Sequence, residues 1–235
     1  MVLPLLPCGT EGRVNVDSVQ ALKSEIIRAI EQTLTMVSIS VSAAVIIGLP
    51  IGILLFLTAP GHLRANRPLY GIVSYAVNLV RSFPFLILLV ALIPFSRMIV
   101  GTAIGPLAAS VSLSVAAIPF YARLVEQSLR EVPNGVIEAA VASGAPMKHI
   151  IWGVLLSEAR PGLVSGLTVT IISFISYSAA AGTVGGGGIG DLAIRYGYQR
   201  FDTEVMAACI VILVVLVQLV QWTGSFAASR LDKRK

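Results

Sequence analysis

Residues 138–144 read Glu138-Ala139-Ala140-Val141-Ala142-Ser143-Gly144, and they lie in the longest hydrophilic loop between apolar stretches. The Ala-rich run predicts a short helix over residues 135–143, for which Asn134 supplies the N-terminal cap. Gly144 suits the left-handed cap that ends such a helix, and Pro146 suits the first turn of the next one. Two helices around a glycine break, inside an otherwise apolar chain, indicate a docking surface rather than a catalytic site.

The composition identifies the class of protein. Charged residues make up 12% and hydrophobic residues 56% of the 235 residues, whereas soluble domains carry about 25% charged residues. Five apolar stretches are long enough to cross about 30 Å of hydrocarbon. We therefore predict an all-α integral membrane protein with about five transmembrane helices, over residues 34–57, 69–95, 105–124, 163–184 and 205–226.

The basic residues indicate the topology. The net charge is +5, but the basic side chains form no aromatic-interleaved groove, which argues against nucleic acid binding. By the positive-inside rule, five spans place the N-terminus outside and the C-terminus in the cytoplasm. Arg13, Lys23 and Arg28 count against this orientation. The residues that support it are Arg64, Arg67, Arg123, Arg130, Lys148, Arg160, Arg230, Lys233, Arg234 and Lys235.

The chain divides into three parts. Residues 1–28 form an N-terminal extension and the start of an amphipathic helix, residues 29–227 a transmembrane domain, and residues 228–235 a basic cytoplasmic tail. Residues 1–7 are apolar but lack a basic start, which predicts an uncleaved extension. The apolar residues of segment 17–35 recur at helical spacing, so this segment is expected to lie along the membrane surface before the first span.

No pattern for catalysis or metal binding is found. His62 and His149 lie in different loops with no thiol cluster, so we predict no metal site and no catalytic residue. The string G-x-x-x-x-G-K-[ST] that cradles nucleotide phosphates does not occur, so any ATPase must be another chain. Gly185, Gly187 and Gly190 formally satisfy G-x-G-x-x-G, but no α/β unit surrounds them.

The three glycines and Arg81 each have both a functional and a purely structural interpretation. The three glycines allow a sharp turn at the outer end of the fourth span, and they either form a gate or docking loop or serve turn geometry alone. Arg81 lies in an apolar segment, where a central charge costs about 2.5 to 3.5 kcal/mol. It is expected to have a gating role, to contact the cytoplasmic loop, or simply to have a structural partner.

The loop resembles the conserved cytoplasmic loop of type I ABC importer permeases, in which E-A-A is followed by glycine and an I-x-L-P ending. Val154 replaces the isoleucine, Leu156 matches, and Ser157 stands where proline is usual. In that family the loop forms a coupling helix that enters a cleft of the ATPase subunit. The resemblance implies that the coupling residues here are Glu138, Ala139, Ala140 and Gly144.

From about residue 29 to 227, the chain is similar to the permease subunits of bacterial methionine importers. The likeness includes residues 81–89 (RSFPFLILL), 93–97 (IPFSR), 99–102, 177–179, 185–190 and 196–198. It implies a non-catalytic subunit that carries D- and L-methionine across the inner membrane as a homodimer. It also implies an ATPase subunit that binds ATP and Mg²⁺, and a periplasmic or lipoprotein binding protein.

Two alternative functions remain. One is a permease of a related importer for another amino acid or a sulfur compound. The other is a secondary transporter, which would need intramembrane acidic residues for ion coupling, and every Asp and Glu lies outside the predicted central spans.

Overall fold

The computed structural model describes residues 16–232, with side chains from residue 23 onward. The segment 1–7, Arg13 and the basic residues 233–235 therefore lie outside the described residues. All regular secondary structure among the described residues is helical. Its helices, in order, are α1 Val16–Ala43, α2 Leu49–Thr58, α3 Arg67–Ser82, α4 Phe85–Ala91, α5 Ile93–Val100, α6 Pro106–Arg130, α7 Asn134–Ala142, α8 Met147–His149, α9 Leu156–Glu158, α10 Arg160–Gly182, α11 Gly188–Leu192 and α12 Thr203–Leu231, with π-helical segments at Ala44–Gly48, Ile150–Leu155 and Ala193–Tyr198.

The first span is longer than predicted. Helix α1 continues through the π-helical segment Ala44–Gly48 into α2, and the apolar span covers Lys23–Thr58. The amphipathic segment is thus the first half of the spanning helix, and the prediction of a separate surface helix is wrong. No proline or glycine lies between residues 17 and 47, so nothing in the backbone interrupts the helix there.

The second span is broken. The apolar stretch 69–95 was predicted as one span in which Pro84 suggests a kinked or broken helix, and α3 and α4 indeed meet at an angle of 99°. Pro84 lacks an N–H group and disfavours helical geometry at the residue before it. Phe83 accordingly has φ −76° and ψ 134°. The break places α4 in contact with both α6 and α10.

Helix α6 is the centre of the fold, since it contacts α1, α2, α3 and α10. It extends to Arg130, six residues beyond the predicted end of the third span. Glu126 therefore lies within this helix and is 4% exposed, so the inference that every acidic residue lies outside the spans is wrong. Arg123, which was assigned to the cytoplasmic loop, is also part of α6.

Close packing of the first span against α6 depends on two glycines at G-x-x-x-G spacing, an arrangement that lets helix backbones approach closely. A Cβ atom at Gly48 would lie 2.7 Å from the carbonyl oxygen of Ile118, and one at Gly52 would lie 2.6 Å from that of Ala122.

The loops collect at two ends of the bundle. Residues 61–63 border a groove with residues 134–142, and Asp232 lines a cavity with Gln127 and Glu158. At the other end, the N–H of Gly105 donates to the carbonyl of Gly185 at 2.9 Å. The described chain therefore passes between the two ends five times, which confirms the predicted number of spans when the bent α3–α4 pair counts as one.

Candidate functional site

Helix α7 contains the residues singled out in the loop. It covers Asn134–Ala142, and Pro133, not Asn134, occupies its N-cap position without a side-chain hydrogen bond, so the predicted cap is wrong. Gly144 has φ +72°, as predicted for a left-handed helix end. Its N–H donates to the carbonyl of Val141 at 3.0 Å, and that of Ala145 donates to Ala140 at 3.2 Å.

One face of α7 is packed and the other is exposed. Ile137 is 8% exposed and belongs to the main core, together with Val132. Glu138, Ala139 and Ala142 point away from Ile137 and are exposed, and Val141, one turn after Ile137, is 48% exposed at the edge of the packed face. Small side chains and one carboxylate on an anchored helix allow another protein's backbone to approach closely.

A groove of about 550 Å³ runs between α7 and the α2–α3 loop. Its walls include Gly61, His62 and Leu63 on the loop, and Glu138 and Val141 on the helix. The exposed face of α7 and this groove together form a concave surface at one end of the bundle, which we call the α7 surface.

The segment after Gly144 anchors the α7 surface to the bundle. Ile150 is 3% exposed and Leu155 is fully buried. The chain then breaks at Ala159, and α10 begins with Pro161 in its first turn. At the end of the loop, Ser157 stands where the resembled family has proline. Pro161, four residues later, begins the next helix instead.

His62 packs against α2 in the wall of the groove. Its ring centroid lies 4.4 Å from that of Phe56. Burial lowers the pKa of His62 from its usual value, and the nearby charge of Arg130 lowers it further. A neutral imidazole is therefore favoured beside the α7 surface.

A buried ionic cluster joins α6 to α3. Glu126 accepts from Arg123 at 2.6 Å and from Arg130 at 2.8 Å, and the Tyr70 hydroxyl donates to it at 3.3 Å. Arg123 also donates to the side chains of Ser74 and of Asn78, the latter at 3.0 Å. Because these hydrogen bonds join side chains of two helices, the cluster fixes α3 against α6, although the Nε of Arg123 is buried and has no hydrogen-bond partner among the described residues.

The glycine loop lies at the other end of the bundle. Gly185 and Gly187 have φ of +85° and +77°. Gln32 and Thr33 on α1 accept hydrogen bonds from the N–H groups of Gly188 and Ile189 at 2.8 and 3.0 Å.

Gly190 lies within α11, where a Cβ atom would collide with the carbonyl oxygen of Ala179. Each of the three predicted glycines is therefore needed for backbone geometry or close packing. At the same end of the bundle, Arg195 forms ion pairs with Asp191 at 2.7 Å and with Glu25 at 3.9 Å.

Arg81 lies in the last turn of α3, at the break. Its guanidinium carbon is 6.0 Å from the centroid of the Phe120 ring. It lies at the opposite end of α3 from Arg67, so the structure does not bring it together with the residues that were predicted to couple to an ATPase. Among residues 23–232, no group of three or more His, Cys, Asp or Glu side chains is placed to hold a metal ion.

Two groups of residues were not predicted from the sequence, namely the ionic cluster and the aromatic residues near Arg81. The ionic cluster had a signal, because Arg123, Glu126 and Arg130 stand at i, i+3 and i+7, on one helix face. The aromatic residues near Arg81 had none, since Phe85, Phe120 and Phe174 are distant in sequence.

Sequence comparison identifies relatives over most of the chain. It is 48% identical over 215 residues to a probable D-methionine transport system permease protein of Vibrio cholerae, with 91% of this chain and 96% of the relative covered. It is 45% identical to a methionine import system permease protein of Bacillus subtilis, with 77% and 82% covered. The D-methionine transport system permease protein of Escherichia coli is 51% identical, with 67% and 72% covered.

Solved structures show the same fold. An inward-facing structure of the MetNI methionine ABC transporter matches with a TM-score of 0.89 at 46% identity, covering 91% of this chain and 99% of that one. An amino acid ABC transporter matches with a TM-score of 0.74 at 19% identity, which supports the fold alone. Residues 44–233 match the family described as binding-protein-dependent transport system inner membrane component. The chain, with five crossings of the bilayer and an exposed helix between the third and fourth, belongs to this family of multi-pass inner membrane transport permeases.

Proposed function

We propose that this chain is the permease subunit of an ATP-driven importer for D- and L-methionine. The observation that carries the proposal is the 48% identity to a D-methionine permease over 91% of the chain. It is supported by the fold shared with a methionine ABC transporter. Two copies of the chain enclose the path, since the five crossings of one copy make a thin bundle whose α12 is largely exposed.

The α7 surface is the docking site for a separate ATPase subunit. Glu138 and Ala139 present an anionic and a small group to that subunit, Ala140 packs behind them against the core, and Gly144 ends the helix where the chain turns back to the bundle. ATP and Mg²⁺ bind to the ATPase, and this chain is non-catalytic. Closure of two ATPases on ATP moves α7, and the buried segment at Ile150 and Leu155 transmits the motion to the spans.

The remaining assignments follow from that docking. The end with α7 faces the cytoplasm, so the C-terminus is cytoplasmic and the N-terminus is outside. The end with the glycine loop then faces the periplasm, where a binding protein or lipoprotein delivers the substrate. Gly187 keeps this loop close to Gln32 of α1, Gly190 keeps α11 close to α10, and Gly185 allows the turn between them. The loop provides part of the surface on which that protein rests.

The test is uptake of labelled methionine by a bacterial strain that lacks its own methionine importer. The strain receives this chain alone, the chain with its ATPase, or the chain with ATPase and binding protein. We expect accumulation only with all three, and its loss when ATP is depleted. Accumulation that persists after ATP depletion but stops when the proton gradient is dissipated would instead indicate a secondary transporter.

Competition identifies the substrate. Unlabelled L- and D-methionine in excess are expected to suppress uptake, whereas leucine and sulfate are not. Suppression by another amino acid or sulfur compound, with no effect of methionine, would keep the importer and replace its substrate.

A further inference from the structure

An aromatic pocket lies where α3 breaks. Phe85 and Tyr177 stack with centroids 4.6 Å apart, and Phe174 meets Tyr177 edge-on at 5.1 Å and Phe120 at 5.9 Å. Arg81, which is exposed, lines the open side of this pocket, and the pocket measures about 210 Å³. Sites for drug-sized ligands measure about 300 to 1,000 Å³, so this pocket has room for a small molecule only.

The position of Arg81 along α3 places its charge at membrane depth. Arg67 begins the helix near the α7 end, and a rise of 1.5 Å per residue puts Arg81 about 21 Å further along the axis. Among residues 23–232, no carboxylate forms an ion pair with Arg81. A structural arginine at this depth is expected to have such a partner, because an uncompensated charge is costly there.

The broken backbone supports a polar ligand at the same place. Non-helical backbone at membrane depth is tolerated where it is buried in protein or lines a cavity. Phe83 and Phe85 flank the break at Pro84, and both line the aromatic pocket. One small pocket is therefore lined by the helix break, by a guanidinium that has no ion pair within residues 23–232 and by the aromatic rings.

We propose that the aromatic pocket is a binding subsite for the transported amino acid within the permease, which rests on the proposed function. Arg81 receives the α-carboxylate in a charge-assisted hydrogen bond, for which a guanidinium is geometrically suited. The rings of Phe120, Phe174 and Tyr177 receive the apolar side chain, and a thioether gains from sulfur contacts with ring edges at about 5 Å. The pocket holds the substrate on its way through the membrane.

The test measures binding without the binding protein. The permease–ATPase complex is purified in detergent, and the Kd of labelled L-methionine is determined by equilibrium dialysis. We expect Arg81→Gln to raise the Kd about tenfold to a hundredfold, as loss of a hydrogen bond to a charged group does. Arg97→Gln is the matched control, because Arg97 is an exposed arginine on the neighbouring helix α5, and its Kd is expected to stay within twofold of the wild type.

Two further variants separate the rings from the charge. Tyr177→Leu is expected to raise the Kd, whereas Tyr177→Phe retains the ring and is expected to bind like the wild type. Methioninamide, which lacks the carboxylate, distinguishes the role of Arg81 from a change in folding. The wild type is expected to prefer methionine over the amide, and Arg81→Gln to lose that preference.

The outcomes are distinct from those that test the proposed function. A wild type that supports methionine uptake but whose complex shows no binding, or whose Arg81→Gln variant binds equally well, overturns the subsite alone. Absence of ATP-dependent methionine uptake by the wild type overturns the proposed function and the subsite with it.

Discussion

At the scale of the single residue, the left-handed conformation of Gly144 ends the helix that we propose couples the permease to the ATPase. Its φ of +72° lies in the left-handed region, and a Cβ atom there would meet nothing within 4 Å. Any cost of a side chain is therefore backbone strain alone, about 1 to 2 kcal/mol for an L-residue. We expect that strain to weaken the hydrogen bonds at the C-terminal end of α7.

We expect Gly144→Ala to speed amide hydrogen exchange at the end of α7 by about five- to thirtyfold, the factor that corresponds to this strain. Gly135→Ala is the control, because Gly135 lies in the same helix without positive φ and also has open space around it. Exchange measured by mass spectrometry on peptides covering residues 134–146 decides the matter. Equal exchange in both variants would contradict a strained cap.

His62 provides a prediction about pH. Its pKa is lowered in the folded state, so the unfolded chain binds protons more readily below its own pKa of about 6.5. The contribution of His62 to stability is therefore complete above that value and is lost as the pH falls toward the folded pKa. We expect the melting temperature of the wild type to fall more steeply between pH 7.5 and 5.5 than that of His62→Gln. Parallel curves would exclude His62 as the cause.

Individual residues were predictable where local geometry sets the requirement. A glycine after an Ala-rich helix specifies a left-handed end, and Gly144 has one. Glu126 was missed because a hydropathy window ended the span before it, although its spacing to Arg123 and Arg130 was readable. The roles of Glu138, Ala139 and Ala140 in coupling stay predictions.

At the scale of the helix, the packing of the first span on α6 depends on Gly52. A Cβ atom there would lie 2.6 Å from the carbonyl oxygen of Ala122 and also from the Cβ of Val125. We expect Gly52→Ala to destabilise the protein by about 1 to 3 kcal/mol, as overpacking of a close contact does. The midpoint of unfolding by sodium dodecyl sulfate in mixed micelles measures the change.

Gly71→Ala serves as the control for helix propensity. Gly71 is also inside a helix, but a Cβ atom there meets nothing within 4 Å. This variant is expected to be neutral or to gain about 0.5 to 1 kcal/mol, since alanine restricts the unfolded backbone more than glycine. A larger loss for Gly71→Ala than for Gly52→Ala would refute the packing argument.

The number of spans was predictable from apolar length, whereas a break in a span was predictable only from a proline such as Pro84. Apolar length predicts five crossings because the bilayer thickness sets the length of each span. The same measure does not detect the 99° bend at Phe83 and Pro84, since the residues on both sides are apolar. Nor does it separate the amphipathic half of α1 from the spanning half, because one uninterrupted helix contains both.

At the scale of the whole molecule, the two ends of the bundle have different characters. The α7 end carries the concave α7 surface and the ionic cluster, and the opposite end carries the glycine loop held by Gln32 and Thr33. Helix α6 connects both ends and contacts the first, second and fourth spans. A displacement of α7 can therefore reach the aromatic pocket through α6, whose Phe120 forms part of the pocket wall.

The most direct test of this chain as an ATP-driven permease asks where the ATPase binds. A photoreactive benzoylphenylalanine replaces Val141 on α7 or, as control, Val211 on α12, since these valines are 48% and 59% exposed. The complex with the ATPase is irradiated in native membranes, and adducts are identified by mass spectrometry. We predict an ATPase adduct from position 141 and none from position 211. An ATPase adduct from position 211 with none from position 141 would contradict docking on the α7 surface.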